Sequence, residues 1–425
     1  MAKHSKREGR KVIQLRDHLP QNQNAPDQEP QASIEYEGDP AALEKRREAR
    51  KAPKAFYRAA VVLLVLVLGL ALWVNRQNLT PENVWNWIQV QVTGSGSGDG
   101  YPVSITGSNV TESNFLSVDG CAVALSDTSL TILGSSGQEL LSQRHSFNQP
   151  ILRADSGNYL LYNQNSTGYM VVSGTEVKID SSTKQDILAG AISGDGRFAL
   201  ATRGEDGASQ VTVYLATGEV QYTYSFSGDY VTAMDLSGDG TWAMVCTVRS
   251  QGGQLVSKVT VLDLNSTTPA GQYETADNLL FSAYWGDNGI LYAVGDGGLV
   301  RARSSDLTFS EYSYQGKTPT ALTMSGGHLY LSVSAYEHAG ACTVLVFKNL
   351  EDPVEIQTEQ RVTCLSVSGN TVGTLMGQQM VLYDASSGQE LARTDVGSDA
   401  KSIALSSEST AYVLGVSEIR RVQAE

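Results

Sequence analysis

Two stretches decide the fold: AGAISGDGRFALAT at residues 189–202 and VTAMDLSGDGTWAMVCT at residues 231–247. Each is an apolar run, a Ser-Gly-Asp-Gly turn and a second apolar run. Glycine reaches positive φ without steric cost and Asp bonds its own backbone, so each reads as a tight β-hairpin. The same unit recurs on both sides. Upstream lie NFLSVDGCAVALS from Asn114 and ILRADSGNYLLYN from Ile151. Downstream lie FSAYWGDNGILYAVG from Phe281, TALTMSGGHLYLSV from Thr320, VTCLSVSGNTVGTL from Val362 and KSIALSSESTAYVLG from Lys401. The eight units start 37 to 50 residues apart, the spacing of propeller blades with four strands each.

The second half of the unit repeats too. VTVYLATGEVQYTYSF follows one hairpin and MVLYDASSGQELARTD another, with Gly218 and Gly388 supplying the turn. The expectation is an all-β propeller over residues 101–425 with eight blades. Seven is the alternative, should either of the last two units be an irregular excursion. The final unit is one strand short, and YPVSITG at 101–107 has no partner nearby. It is expected to supply that strand and close the ring, leaving no open edge. Inner strands should begin with small residues that tolerate crowding, as Ala189, Gly190, Ala191, Ala233, Ala283, Ala321 and Ala404 do. Forty-one glycines, 11 prolines and only 18% charged residues suit many short strands joined by Gly-rich turns.

Ahead of the repeats, residues 59–74 read AAVVLLVLVLGLALWV. Extended by Phe56 and Tyr57, this is a transmembrane helix over 56–75. Lys45, Arg46, Arg47, Arg50, Lys51, Lys54 and Arg58 precede it and only Arg76 follows closely. The positive-inside rule puts the N-terminus in the cytoplasm and the C-terminal domain outside the cell membrane. Residues 1–55, with QNQNAPDQEPQ at their centre, read as a disordered basic tail. Thr80 and Pro81 start a short amphipathic juxtamembrane helix over 79–92, which lies on the outer leaflet or packs on the β domain. Residues 93–100, around GSGSGDG, read as a flexible linker. The glycines fall outside the G-x-G-x-x-G frame, and no helix follows to hold a phosphate.

Charge divides at the membrane. Residues 1–74 carry a net +4 and the remainder a net −18. An acidic exported domain repels nucleic acid and is compatible with a basic partner. Cys121, Cys246, Cys342 and Cys364 match no disulfide framework or zinc spacing and read as buried free thiols. Asp195, Asp239 and Asp287 are candidate calcium ligands, with ordinary turn chemistry as the plainer reading. SGDGTW at Ser237 comes close to a sialidase Asp box, but its glycine falls one position early, which leaves a turn followed by a core strand. Of the histidines beyond the anchor, His145 is expected to cap or pack at a blade edge, and His338 to be exposed; neither these nor His328 has zinc-helix spacing.

TPENVWNWIQ at 80–89, GDGYPVSITGSNV at 98–110 and LSDTSLTILGSSGQELLSQRHSFNQPIL at 125–152 together resemble the DUF5711 family of bacterial membrane-anchored proteins. The resemblance implies a single-pass protein with a WD40- or quinoprotein-like propeller, and implies no activity. The tryptophan-docking repeats of quinoprotein enzymes are missing, so no cofactor is carried over. No residue here is assigned a catalytic, cofactor-binding or metal-binding role. The expectation is a non-catalytic protein-binding or scaffold module at the cell surface. The alternative is an envelope enzyme, hydrolase or quinoprotein-like, working in the propeller channel.

Overall fold

A computed structural model describes residues 100–205 and 207–424. The expected tail, membrane span, juxtamembrane helix and most of the linker lie outside these residues. No helix among the described residues is long and apolar enough to cross a membrane.

Among the described residues, thirty-two strands form eight antiparallel sheets of four strands. Seven blades are continuous in sequence, over 110–144, 150–182, 187–226, 230–276, 280–313, 318–357 and 364–395. The eighth takes three strands from 402–423 and its outer strand from Val103–Ser104. Val103 pairs with Ile419 and Ser104 with Glu418, and the Ile105 amide donates to the Ser417 carbonyl at 2.9 Å. The two units on which the count depended are therefore regular blades, and the chain closes its ring with the segment expected to do so.

The core is divided among the blade junctions. Eight buried clusters each span two neighbouring blades; one joins Ala189, Val211 and Phe226 of blade 3 to Val231, Met234 and Leu262 of blade 4. Middle strands are covered on both faces, so they read as continuous buried runs such as CAVALS and ILYAVG. Outer strands alternate, as EVKIDSS does. The small residues of the inner strands act here as well. A Cβ on Gly190 would meet Leu160 and Tyr162 of blade 2 at 3.0 Å, so the crowding lies between blades.

Each inner strand is an edge whose free backbone groups face the axis and the next blade. Side chains of the preceding blade meet them. Buried Asn114 donates to Pro150 O at 2.7 Å and accepts from Leu152 N at 3.0 Å. Thr232 donates to Leu280 O at 2.6 Å, and Ser366 accepts from Leu405 N at 2.8 Å.

Candidate functional site

Strand direction gives the ring two different faces. The turns between inner and second strands lie on one, here the hairpin face. The links between successive blades lie on the other. Six of the eight turns between inner and second strands carry or adjoin an acid: Asp119, Asp155, Asp195, Asp239, Asp287 and Glu408. Inner strands of neighbouring blades pack beside one another around the axis, the arrangement that leaves a propeller its central channel.

Titratable groups converge in that channel. Arg153 comes from the inner strand of blade 2 (Pro150–Asp155), Asp235 from that of blade 4 (Tyr230–Leu236) and Tyr284 from that of blade 5 (Leu280–Trp285). Arg153 is solvent-accessible yet surrounded by protein, as a side chain projecting into a channel must be. Burial opposes its charge, but Tyr162, Tyr284 and Asp235 outweigh that and hold its pKa above the ordinary value. Burial pushes Asp235 up to about 7, against the pull of hydrogen bonds from Trp285 N and Leu236 N and of Arg153, while Asp155 pushes the same way as burial. Asp155 is pushed up to about 6, first by burial and then by Asp287 and Asp195, although Ser156 donates to it at 2.9 Å. Burial also raises Tyr284. The channel thus holds one guanidinium among carboxylates that ionise near neutrality.

Asp235 has a structural duty besides. Its Oδ2 accepts from Trp285 N at 2.7 Å, which satisfies that amide on the edge of blade 5, and its Oδ1 accepts from Leu236 N of its own strand at 3.0 Å. Beside it, a cleft of about 260 Å³ opens on the hairpin face at the junction of blades 4 and 5. Ser237, Asp239, Trp242, Trp285, Asp287 and Ser304 line it. The rings of Trp242 and Trp285 lie with centroids 6.3 Å apart and planes tilted by 32°. Trp242, expected on a core strand, is only half-buried.

The propeller architecture matches what the sequence resemblance implies, and its closure matches the strand missing from the last repeat unit. The family model for DUF5711, a family of unknown function, matches residues 99–423. The chain belongs to the DUF5711 family. Among solved structures, BamB from Moraxella catarrhalis is 11% identical with a TM-score of 0.50, and the match covers 76% of this chain and all of that one (100%). The C-terminal WD40 domain of Sif2 is also 11% identical with a TM-score of 0.53, covering 76% of this chain and 98% of that one. At such identity both show the fold alone. A search of the curated proteins finds no match.

The remaining sequence candidates find ordinary places. Asp195 accepts from Ser193 Oγ at 2.6 Å and Arg197 N at 3.1 Å, and pairs with the Arg197 guanidinium. Asp239 accepts from Ser237 Oγ at 2.6 Å and from Thr241 Oγ1 at 2.8 Å. Both carboxylates are engaged in turn chemistry, and among the described residues no three potential ligands gather to hold a metal. His145 sits at the edge of blade 1: its Nε2 meets Ser126 O at 3.1 Å, its Nδ1 accepts from Phe147 N at 3.1 Å, and its ring stacks on Phe147. His338 is exposed beside Glu337. All four cysteines are free thiols. Burial pushes Cys121 up to about 11 and Cys246 to about 12, which keeps them protonated and unreactive. Cys364 is half-buried, and its thiol reaches the Ser402 hydroxyl at 3.2 Å and the Ile403 carbonyl at 3.5 Å.

Sequence reasoning did not find Arg153, Tyr284 or Trp285. Arg153 lies in blade 2 and Tyr284 and Trp285 at the end of one strand of blade 5; they share no motif, and only the ring brings the two blades to a common axis. The available signal was the placement of both tryptophans beyond residue 100 close to Gly/Asp turns.

Proposed function

We propose that the propeller is a non-catalytic protein-binding or scaffold module, held outside the cell membrane by the span at 56–75. One observation carries the binding role. Six large apolar side chains are exposed among the described residues, and four of them, Tyr230 (52%), Phe281 (37%), Tyr336 (61%) and Val416 (58%), lie on the blade-link face. The Thr232 bond to Leu280 O puts Tyr230 and Phe281 on neighbouring inner strands at the same end. The ladder shifts register at Leu280/Ser282, a bulge that re-aims Phe281. Aromatic side chains presented on a rigid rim are typical anchors of protein interfaces. The basic residues before the span support the outward topology. Crosslinking from this face in intact cells tests the reading. A discrete adduct that Tyr230→Ser with Phe281→Ser abolishes supports it, and an adduct profile unaffected by those changes refutes it.

A second reading has an observation of its own. Arg153, Asp155, Asp235 and Tyr284 converge in the channel as an enzyme's acid–base groups would. On that reading the chain is an envelope enzyme, and Asp155→Asn abolishes turnover while leaving the crosslinks intact.

A further inference from the structure

The only two tryptophans of the propeller share one solvent-open cleft. Trp242 starts the second strand of blade 4 and Trp285 ends the inner strand of blade 5, and both are half-buried. Packing explains their inner edges, which rest on the cluster holding Met244, Val261, Leu280 and Leu291. It does not explain why two large aromatic side chains border a cleft of about 260 Å³ together with Asp239 and Asp287. An indole face is electronegative and attracts a cation within about 6 Å of its centroid. With centroids 6.3 Å apart, one cation placed in the cleft can come within that reach of both rings.

The surroundings favour positive charge. Asp287 is exposed and helps to raise the pKa of Asp155, which marks the negative field at this mouth. Asp235 lies directly behind Trp285, bonded to its amide. Of the cations nearby, Arg197 is paired with Asp195 and donates to the Asp239 carbonyl at 2.8 Å, and Arg153 interacts electrostatically with Asp235. The chain beyond residue 74 carries a net −18, which steers cations toward such a mouth.

We propose that this cleft binds a lysine or arginine side chain presented by a basic segment of a protein partner. Trp242 and Trp285 take the cation on their ring faces, and Asp287 and Asp239 supply the counter-charge at the rim. The inference rests on the binding-module reading and adds a second contact on the opposite face of the ring.

The test uses the full-length chain in non-ionic detergent and a fluorescent hexalysine peptide, read by anisotropy in 0.15 M and 0.5 M salt. Trp285→Phe and Asp287→Asn are each expected to weaken binding about threefold, and the double variant about tenfold. Glu139→Gln, on the same face at blade 1, leaves it unchanged. High salt screens the diffuse field, so the Trp285→Phe difference persists in 0.5 M salt while the Asp287→Asn difference shrinks. Equal losses for Glu139→Gln and Asp287→Asn would mean a general field and overturn the site. Competition by tetramethylammonium at concentrations equal to the peptide would make the ligand a small organic cation, and would overturn the proposal too. Because Tyr230 and Phe281 lie on the other face, loss of their crosslinks with hexalysine binding intact would count against the binding-module reading alone.

Discussion

Closure of the ring by residues 101–107 can be tested at one side chain. Tyr101 is half-buried, packs on Tyr412 with ring centroids 5.3 Å apart, and donates its hydroxyl to Gly134 O at 2.9 Å. Truncating a fully buried aromatic to Ala costs about 3–5 kcal/mol. At half burial about 2 kcal/mol remains, and the lost hydrogen bond adds about 1 kcal/mol. For a domain of this length, 1 kcal/mol corresponds to roughly 1.5 °C in Tm. Tyr101→Ala should therefore lower Tm by about 4 °C, and Tyr101→Phe, which loses only the hydrogen bond, by about 1–2 °C. Deleting 101–107 should do more, because it also bares the edge of the strand Glu418–Gln423. Scanning calorimetry reads the first two variants, and size-exclusion chromatography with light scattering reads the third as self-association. A deletion variant that stays monomeric with wild-type Tm would refute the closure.

Other consequences are measurable. Asn114→Ala removes the staple between blades 1 and 2 and leaves Pro150 O and Leu152 N without their partner, so a loss of about 2 kcal/mol is expected in chemical denaturation. The folded-state pKa values of Asp155 (about 6) and Asp235 (about 7) lie above the usual carboxylate range. Their contribution is fully present below about pH 4 and is lost as pH rises through 6 to 7, so Asp235→Asn should reduce the difference in unfolding free energy between pH 5 and pH 8, read by chemical denaturation, by an amount of order 3 kcal/mol; an unchanged difference contradicts the raised value. Protease added to intact protoplasts should digest the propeller while sparing a tag at Met1, and protection of the propeller contradicts the outward topology.

The blades were legible because the hairpin turn is a local device. Ser193–Gly196 and Ser237–Gly240 bend the chain the same way wherever they occur, and the buried runs beside them mark strands covered on both faces. Closure was legible by subtraction, since one unit lacked a strand and 101–107 had none to pair with. The channel was not legible. Arg153, Asp235 and Tyr284 become neighbours only through the angular order of blades 2, 4 and 5, which no spacing in the sequence encodes. Asp235 shows a further difficulty: the residue that binds the Trp285 amide is also the one whose ionisation burial disturbs. Trp242 was expected in the core because it follows a turn into an apolar strand. The cleft exposes it because the side chain that meets it from blade 5 is another large indole beside a glycine turn, and both line the open junction.

The central claim, that the propeller presents a binding face outside the cell, is tested most directly by a photo-crosslinking amino acid placed in turn at Tyr230, Phe281 and Val220 in intact cells. Val220 is more exposed than either but starts an outer strand beside a hairpin-face turn. The account predicts one discrete protein adduct from the first two positions and none from Val220. The same adducts from all three positions, or none from Tyr230 and Phe281, would contradict it.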